Sequence, residues 1–283
     1  MKIITSISDM QRAADELRQA GKRIGIVPTM GYLHDGHLSL IRIAKEKSDV
    51  VIVTIFVNPT QFAPDEDYSK YPRDLDRDSE LVRSAGADII FTPSNDEMYG
   101  GKYRTYVNVE EITAVLEGKF RPAHFRGVTT VVAKLFNITK PHVAVFGQKD
   151  AQQAVVVRRM VKDLNFDCEI FVGPIVRETD GLAMSSRNVY LSEDERRQSM
   201  VLNRSLHLAF DLIANGERQC EILKKEMMKM IASRPSAVID YVSIADPEKL
   251  EELTKLTPGA TVLISLAVRI GSTSLIDNLQ VTV

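Results

Sequence analysis

The chain has few of the features that mark secreted, membrane or metal-binding proteins. Its 283 residues include only two cysteines, Cys168 and Cys220, and these form no Cys-x-x-Cys motif. A disulfide framework or a zinc site therefore has no support, and a reducing cytoplasm fits the composition. The first residues lack the apolar core of a signal peptide, and no apolar run reaches the roughly 20 residues of a membrane span. We therefore expect a cytoplasmic protein without a membrane partner.

The chain also lacks an excess of charge of either sign. Its 36 lysines and arginines against 38 aspartates and glutamates give a formal net charge of -2. Because this balance creates no global basic field, we expect no nucleic-acid partner. Hydrophobic residues at 44% and charged residues at 26% are typical of a globular protein, and the length suffices for one large domain or two modest ones.

Short apolar runs alternate with helical patterns through the first part of the chain. Strands are predicted at residues 24–27, 50–57, 88–91, 143–146 and 169–172, and helices at residues 8–20, 38–48, 75–85, from 128 onward and 151–164. Ser8 and Gln11 form a capping-box pattern before the first helix, and residues 107–118 predict a short strand and a short helix. The alternation predicts an α/β fold with a Rossmann-like, doubly wound parallel sheet over residues 1–175.

The pattern changes after residue 175. Residues 177–188 are polar and contain glycine, and predicted helices follow at 193–214 and 219–231. Three more strands are predicted, at residues 237–244, 260–268 and 274–281. These elements predict a second, smaller α+β domain over residues 176–283.

Three polar clusters follow predicted strands of the first domain. They cover residues 29–37, 58–61 and 147–150, which lie far apart in the chain. Open parallel sheets bind ligands at the carboxyl ends of their strands. We therefore expect the three clusters to converge on one cleft.

The first cluster contains His34-Asp35-Gly36-His37 between a strand and a helix N-terminus. Such a junction favours phosphate binding, because free backbone N–H groups and the positive end of the helix dipole point at the ligand. His34 and His37 face the same way on a helical turn, Gly36 permits close approach, and imidazole donors suit attack at the α-phosphate of a nucleoside triphosphate. Two alternatives remain open: a turn with two solvated histidines, and a metal site, for which no third ligand is visible nearby.

Two further segments carry cations. Lys149 and Asp150 resemble a phosphate-binding cation beside a carboxylate that can help hold Mg²⁺, and the alternative is an exposed pair that opens the next helix. Ser185, Ser186 and Arg187 offer hydroxyls and a guanidinium for a mobile clamp on a triphosphate, and the alternative is an ordinary Ser/Asn-rich turn.

Two glutamines suit a polar organic acid. Gln61 follows the strand predicted at 50–57, and Gln153 lies on the first turn of a predicted helix. Their amides can both donate to and accept from hydroxyl and carboxylate groups, although each alone is more often a surface residue. A basic loop at residues 121–127 can meet a phosphate or a carboxylate, or form a surface turn.

Taken together and in order, these motifs are specific. They are Pro28-Thr29-Met30-Gly31 with His34-Asp35-Gly36-His37, Phe56-Val57-Asn58-Pro59-Thr60-Gln61-Phe62, Tyr71-Pro72-Arg73, Phe125-Arg126-Gly127-Val128, Phe146-Gly147-Gln148-Lys149-Asp150-Ala151-Gln152-Gln153 and Asp180-Gly181-Leu182-Ala183-Met184-Ser185-Ser186-Arg187-Asn188. The set resembles the pantothenate synthetase family, the pantoate–β-alanine ligases, along essentially the whole chain. The His-x-Gly-His motif alone indicates only the wider nucleotidyltransferase superfamily.

The resemblance implies an enzyme that condenses pantoate with β-alanine to pantothenate through a pantoyl adenylate, releasing pyrophosphate and AMP. It also implies Mg²⁺ as cofactor and a homodimer. Residues 1–175 would bind the nucleotide and pantoate, and residues 176–283 would close over the ATP site.

The resemblance also implies roles for single residues. His37, His34, Lys149 and Arg187 would be catalytic, with His37 as a proton donor. Gln61 and Gln153 would hold pantoate, and Asp150 is the candidate for holding Mg²⁺. The ATP site would comprise Met30, Gly31, Tyr32, Leu33, His34, Asp35, Gly36, His37, Gly147, Gln148, Lys149, Asp150, Val176, Met184, Ser185, Ser186 and Arg187.

Two other functions stay open on the residues alone. A nucleotidyltransferase that attaches a nucleotide to a phosphate acceptor would carry more basic residues in place of Gln61 and Gln153. A nucleotide-binding regulatory module without turnover would lack the positions of His34, His37 or Lys149, and all three are present.

Overall fold

A computed structural model describes residues 1–64 and 66–283, and a six-stranded parallel sheet forms its N-terminal part. The strands are β1 (Lys2–Ile4), β2 (Ile24–Thr29), β3 (Val50–Ile55), β4 (Ile89–Phe91), β5 (Val143–Gly147) and β6 (Glu169–Gly173). The helices of this part are α1 (Ile7–Gln19), α2 (Asp35–Lys47), α3 (Leu75–Ser84), α4 (Asn95–Tyr99), α5 (Glu117–Phe120), α6 (His124–Thr139) and α7 (Ala151–Asp163).

The strand order of this sheet creates a crevice. The order is β1-β4-β3-β2-β5-β6, and β2 pairs with β3 on one side and β5 on the other. The direction of winding therefore reverses between β2 and β5, which is the topological switch point where doubly wound sheets bind ligands. The loops after β2 and β5 open into the same crevice, and the predicted doubly wound sheet is confirmed.

The apolar strands are covered on both faces. Ile24 and Ile26 of β2 pack into a core with α1 and α6, whereas Val27 packs into a second core with α2 and α3. A strand buried on both faces is a continuous apolar run, as the sequence of β2 and β3 indicates. This packing on both faces fixes the positions at which the loops after β2 and β5 begin.

The C-terminal part has a sheet and a core of its own. Its elements are α8 (Glu193–Ser199), α9 (Val201–Ala214), α10 (Cys220–Ala232), β7 (Ala237–Ala245), β8 (Thr261–Ile270) and β9 (Thr273–Thr282). The three strands form an antiparallel sheet in the order β7-β8-β9. A small apolar cluster of Ala151, Leu250 and Leu263 joins α7 to this part. The expected fold class, an α/β fold with a second, smaller domain, is confirmed.

Several helix boundaries differ from the sequence-based expectation: α2 begins at Asp35 and not at 38, and α6 begins at His124 and not at 128. Two further differences have a local cause. The cap of α1 is Ser6 and not Ser8, because the Ser6 hydroxyl accepts the backbone N–H of Asp9 at 3.2 Å. The helix expected over 193–214 is divided at Met200. Just before the break, the Ser199 hydroxyl donates to the Arg196 carbonyl at 2.7 Å, a local bond that competes with the helix ladder.

The strand expected within residues 107–118 is wrong. Residues 107–110 have no regular structure and residues 111–116 form turns and bends before α5. Part of this backbone bonds to side chains, since the Val107 N–H donates to the Thr130 hydroxyl at 3.0 Å and its carbonyl accepts from the Thr129 hydroxyl at 2.7 Å. The Gln152 amide donates to the carbonyls of Ile112 and Val115, each at 2.8 Å, and accepts the N–H of Glu117 at 3.0 Å. Sequence periodicity also missed β1 and α4, of three and five residues, which are too short to show a period.

Candidate active site

A cavity of about 1160 Å³ lies at the carboxyl ends of the parallel strands. Pockets for one ligand usually have about 300–1,000 Å³, so this cavity has room for more than one small molecule. Its wall includes residues from all three predicted clusters, among them His34, Asn58 and Lys149. The expectation that the clusters converge is confirmed. Residues of β7, β8 and β9 close the other side.

The two histidines of the first cluster lie against each other. The ring centroids of His34 and His37 are 4.1 Å apart, and the backbone N–H of His34 donates to His37 Nδ1 at 3.3 Å. This bond leaves the proton of a neutral His37 ring on Nε2. A Cβ at Gly36 would lie 2.9 Å from His34 Cε1, so glycine is needed to make room for the His34 ring.

Both rings are electrically neutral near pH 7. Burial, aided by the Lys149 ammonium, lowers the pKa of His34 to about 4. Burial, with smaller effects of His34 and Lys149, holds the pKa of His37 well below its usual range. The site therefore offers imidazole N–H donors rather than imidazolium ions.

The turn Gln148–Asp150 after β5 supplies a cation opposite the histidines. Lys149 Nζ lies 3.4 Å from Asp150 Oδ1, and both residues line the cavity. Lys149 is the cation that bears on the pKa of both histidines, so these three side chains share one electrostatic environment.

The glutamines line the same cavity. Gln61 is buried, and its Oε1 accepts from Asn58 Nδ2 at 3.1 Å, which fixes the orientation of the amide. Its Nε2 lies 3.1 Å from Met30 Sδ. Gln153 lines the cavity from the first turn of α7.

The loop with Ser185, Ser186 and Arg187 closes against the N-terminal part. The Ser186 hydroxyl donates to the Tyr32 carbonyl at 3.1 Å. Arg187 donates through Nε and Nη2 to the two carboxylate oxygens of Asp67, each at 3.0 Å. The Met184 N–H donates to the Val176 carbonyl at 3.0 Å, so the two segments of this part that the resemblance places at the nucleotide lie side by side.

Five residues that the resemblance places in the ATP site do not line the cavity: Gly31, Tyr32, Leu33, Asp35 and Gln148. Leu33 is fully buried in the core, Asp35 is exposed, and the Gln148 amide donates to Asn278 at 3.0 Å. The remaining twelve, from Met30 to Arg187, do line the cavity. They are Met30, His34, Gly36, His37, Gly147, Lys149, Asp150, Val176, Met184, Ser185, Ser186 and Arg187.

A buried carboxylate that sequence reasoning missed holds the histidine loop. Asp78 is 1% exposed and accepts the backbone N–H groups of Tyr32 and Leu33 at 2.7 and 2.8 Å. Tyr32 has a positive φ of 50°, a strained conformation that these two bonds stabilise. A single aspartate in a helix is expected on the exposed face, so nothing in the local sequence predicts that Asp78 is buried.

The segment expected as a basic loop at 121–127 is a turn followed by the first residues of α6, which begins at His124, and part of it lines the cavity. Arg121 pairs with Glu66, with Nε 2.8 Å from Oε1, and His124 Nδ1 lies 2.9 Å from the Gln61 carbonyl oxygen. Both Arg121 and His124 line the cavity beside Gln61.

Comparison with known proteins identifies the family. The family model described as pantoate-beta-alanine ligase matches residues 2–280. The chain belongs to this family. It is 55% identical over 282 residues to the pantothenate synthetase of Chloroherpeton thalassium, covering 99% of each chain. It is 53% identical over 283 residues to that of Acetivibrio thermocellus, covering 100% of each.

Solved structures of pantoate-beta-alanine ligases have the same fold. The crystal structure of pantothenate synthetase from Thermus thermophilus aligns with a TM-score of 0.93 at 43% identity, covering 100% of both chains. The ligase from Francisella tularensis, described as complexed with beta-gamma ATP and beta-alanine, aligns with a TM-score of 0.80 at 35% identity, covering 99% of this chain and 97% of that one.

The family decides among the functions left open by the sequence. The chain is an ATP-dependent ligase that forms pantothenate from pantoate and β-alanine. A phosphate-accepting nucleotidyltransferase and a regulatory module without turnover are both at odds with this family. Across the two described ranges, no helix is long and apolar enough to cross a membrane.

Proposed function

We propose that His34, His37, Lys149 and Arg187 act on the phosphates of ATP while Gln61 and Gln153 hold pantoate. One observation carries the proposal: two neutral imidazoles and an ammonium line the same cavity as two amides. The first set suits phosphate oxygens, and the second suits the hydroxyl and carboxylate groups of an organic acid. The ATP-binding residues are proposed as the resemblance gives them, and they include the five that do not line the cavity.

In the first step, a carboxylate oxygen of pantoate attacks the α-phosphorus of ATP. The new P–O bond forms as the bond from the α-phosphorus to the pyrophosphate oxygen breaks, and pyrophosphate leaves. No proton need move, so the residues contribute positioning and charge stabilisation. Because the pKa of His37 is far below neutrality, His37 donates a hydrogen bond through Nε2 and keeps its proton. This replaces proton donation, which the resemblance implies for His37.

In the second step, the amine of β-alanine attacks the carbonyl carbon of the adenylate. The C–N bond forms, AMP leaves with the bridging oxygen, and the amine loses a proton. Water must be kept out, because it would hydrolyse the adenylate. We assign this role to the loop with Ser186 and Arg187, which is fastened to Tyr32 and Asp67.

The cavity fits Mg²⁺ carried by the nucleotide. Within residues 1–64 and 66–283, no group of three His, Cys, Asp or Glu side chains could hold a metal ion. Mg²⁺ commonly binds through one or two carboxylates, water and substrate phosphates, and Asp150 supplies one carboxylate beside the proposed phosphate site. When bound, Mg²⁺ would neutralise charge on the phosphates, and Asp150 would hold it.

The remaining parts of the proposal concern the whole molecule. We assign residues 1–175 to nucleotide and pantoate binding and residues 176–283 to closure over the ATP site. The assignment is supported by the C-terminal part having an apolar core separate from that of the N-terminal part. A cytoplasmic location is supported by the two free cysteines. A homodimer is supported by the family resemblance, and sedimentation of the purified protein tests it.

The proposed roles are tested by incubating the purified protein with ATP, Mg²⁺, pantoate and β-alanine. We expect AMP and pantothenate in equal amounts, and ADP as the product would contradict the adenylate. The His37→Ala variant should form product about 10²–10³ times more slowly. The matched control is His207→Ala, an exposed histidine on α9, which should keep the parental rate. A parental rate in His37→Ala would remove His37 from the mechanism.

A further inference from the structure

Two consecutive polar residues of β9 are buried although they point to opposite faces of the strand. Asp277 and Asn278 are each 2% exposed. Burying a carboxylate and an amide costs free energy unless both are hydrogen-bonded. Their partners lie in two different segments of the cavity wall.

Asp277 holds the segment that enters the cavity from the C-terminal part. Its two carboxylate oxygens accept from Arg177 Nη1 and Nη2 at 2.7 and 3.0 Å. Arg177 Nη1 also donates to the Gly181 carbonyl at 3.1 Å, and Arg177 pairs with Ala183 in an antiparallel bridge. These bonds close the turn whose next residue, Met184, lines the cavity.

Asn278 holds the Lys149 turn of the N-terminal part. Its Nδ2 donates to the carbonyls of Gln148 and Lys149 at 2.9 and 3.0 Å, and its Oδ1 accepts from Gln148 Nε2 at 3.0 Å. Both hydrogens of the amide are therefore used by protein carbonyls, and none is left to donate to a ligand.

The two residues are linked to each other as well. The backbone N–H of Asn278 donates to Asp277 Oδ1 at 2.8 Å. Two adjacent residues of β9 therefore fix the position of the Lys149 turn relative to the turn before Met184.

We propose that Asn278 is a positioning residue for adenylate formation. It fixes the position of the Lys149 backbone relative to the turn before Met184, which Asp277 holds through Arg177. The proposal rests on the role proposed above for Lys149. It makes the C-terminal sheet part of the phosphate-binding apparatus, since a displacement of β9 would move Lys149. A misplacement of about 1 Å at such a site costs up to about 10²-fold in rate.

The test uses Asn278→Asp, which has the same shape but turns an acceptor oxygen toward the carbonyls of Gln148 and Lys149. The matched control is Gln280→Glu, the same chemical change two residues along the same face of β9, where the side chain is exposed. Adenylate formation is measured as pantoate-dependent exchange of pyrophosphate into ATP. We expect Asn278→Asp to slow exchange by about 10- to 10²-fold and Gln280→Glu to keep the parental rate.

A double-mutant comparison separates positioning from general destabilisation. Lys149→Ala alone should slow exchange by about 10²–10³-fold, and adding Asn278→Asp should slow it little further, because the group being positioned is gone. The inference would be overturned if the fold-losses in exchange rate of the two single variants multiplied in the double variant. It would also be overturned if Asn278→Asp exchanged at the parental rate while Lys149→Ala exchanged slowly. Parental exchange in Lys149→Ala would instead contradict the role proposed for Lys149. If Asn278→Asp does not fold by circular dichroism, Asn278→Ala takes its place in the same comparisons.

Discussion

The guanidinium of Arg187 and the carboxylate of Asp67 form a bidentate ion pair, with two N–O distances of 3.0 Å. Burial raises the pKa of Asp67, but the Arg187 hydrogen bond and charge outweigh burial and leave that pKa below its usual value. Asp67 is therefore ionised at neutral pH. A phosphate that binds Arg187 must compete with this carboxylate.

Neutralising Asp67 should strengthen ATP binding. In Asp67→Asn, the guanidinium loses its charged partner and becomes available to the triphosphate, so we expect the Kd for ATP to fall by about 3- to 10-fold. Isothermal titration calorimetry measures this. The control is Asp76→Asn, an equal change of charge at an exposed position on α3, which should leave the Kd unchanged. Weaker ATP binding in Asp67→Asn would show that the carboxylate assists the nucleotide site.

A methyl group at Gly36 should disable His34 without unfolding the protein. The Cβ of Gly36→Ala would lie 2.9 Å from His34 Nδ1 and Cε1, so the ring must move. Alanine favours a helix by up to about 1 kcal/mol over glycine, so the melting temperature should not fall. We expect slower adenylate formation in Gly36→Ala, but no further loss when Gly36→Ala is added to His34→Ala. An equal loss in both backgrounds would contradict the steric account.

His124 should make the stability of the fold depend on pH. Burial, followed by the Arg121 guanidinium, lowers the pKa of His124 from 6.5 to about 4. Between these values the unfolded chain binds a proton that the folded chain does not, so the free energy of unfolding falls as pH falls. The contribution of one such group is at most about 1.4 kcal/mol per pH unit.

Replacing His124 should therefore flatten this dependence. We expect the urea-unfolding free energy of His124→Asn to fall less than that of the parent between about pH 7 and about pH 5. The exposed His207 provides the control, since His207→Asn should follow the parent. Parallel curves for the parent and His124→Asn would contradict the assignment.

Asp78 should matter for catalysis although it does not line the cavity. In Asp78→Asn, one of the N–H groups of Tyr32 and Leu33 faces an amide donor, and losing that acceptor costs about 1–3 kcal/mol. The loop then loses its fixed position, so adenylate formation should slow while the KM for β-alanine stays unchanged. The exposed Asp76→Asn again serves as control. Parental adenylation in a folded Asp78→Asn protein would show that the loop holds its shape without this carboxylate.

The sequence predicts the site where its pattern is local. The strand, glycine and helix around His34 and His37 follow each other within a few residues, and so do the elements around Lys149. The alternation of strands and helices along the chain then places the histidine segment and the Lys149 segment at the switch point of the sheet. By contrast, Asp78 is 45 and 46 residues from its partners, and Asn278 is 130 residues from Gln148. Such contacts depend on tertiary packing, for which a single sequence carries no periodic signal.

The same reasoning explains the errors in the fold. A short strand is expected within residues 107–118, but side chains take up backbone groups there. Thr130 and Thr129 bond to those of Val107, and Gln152 bonds to those of Ile112 and Glu117. The five residues that the resemblance places in the ATP site but that do not line the cavity are each within two residues of one that does. Sequence proximity places them near the nucleotide, whereas only the fold shows which side of the loop each one occupies.

The most direct test of the account follows the oxygen atoms of pantoate. Pantoate labelled with ¹⁸O in its carboxylate is converted to pantothenate with ATP and β-alanine, and the AMP produced is analysed by mass spectrometry. An acyl adenylate requires one ¹⁸O atom in the phosphate of AMP, because AMP leaves with the oxygen that attacked the α-phosphorus. Unlabelled AMP would contradict attack at the α-phosphate, and with it the roles proposed for His34, His37 and Lys149.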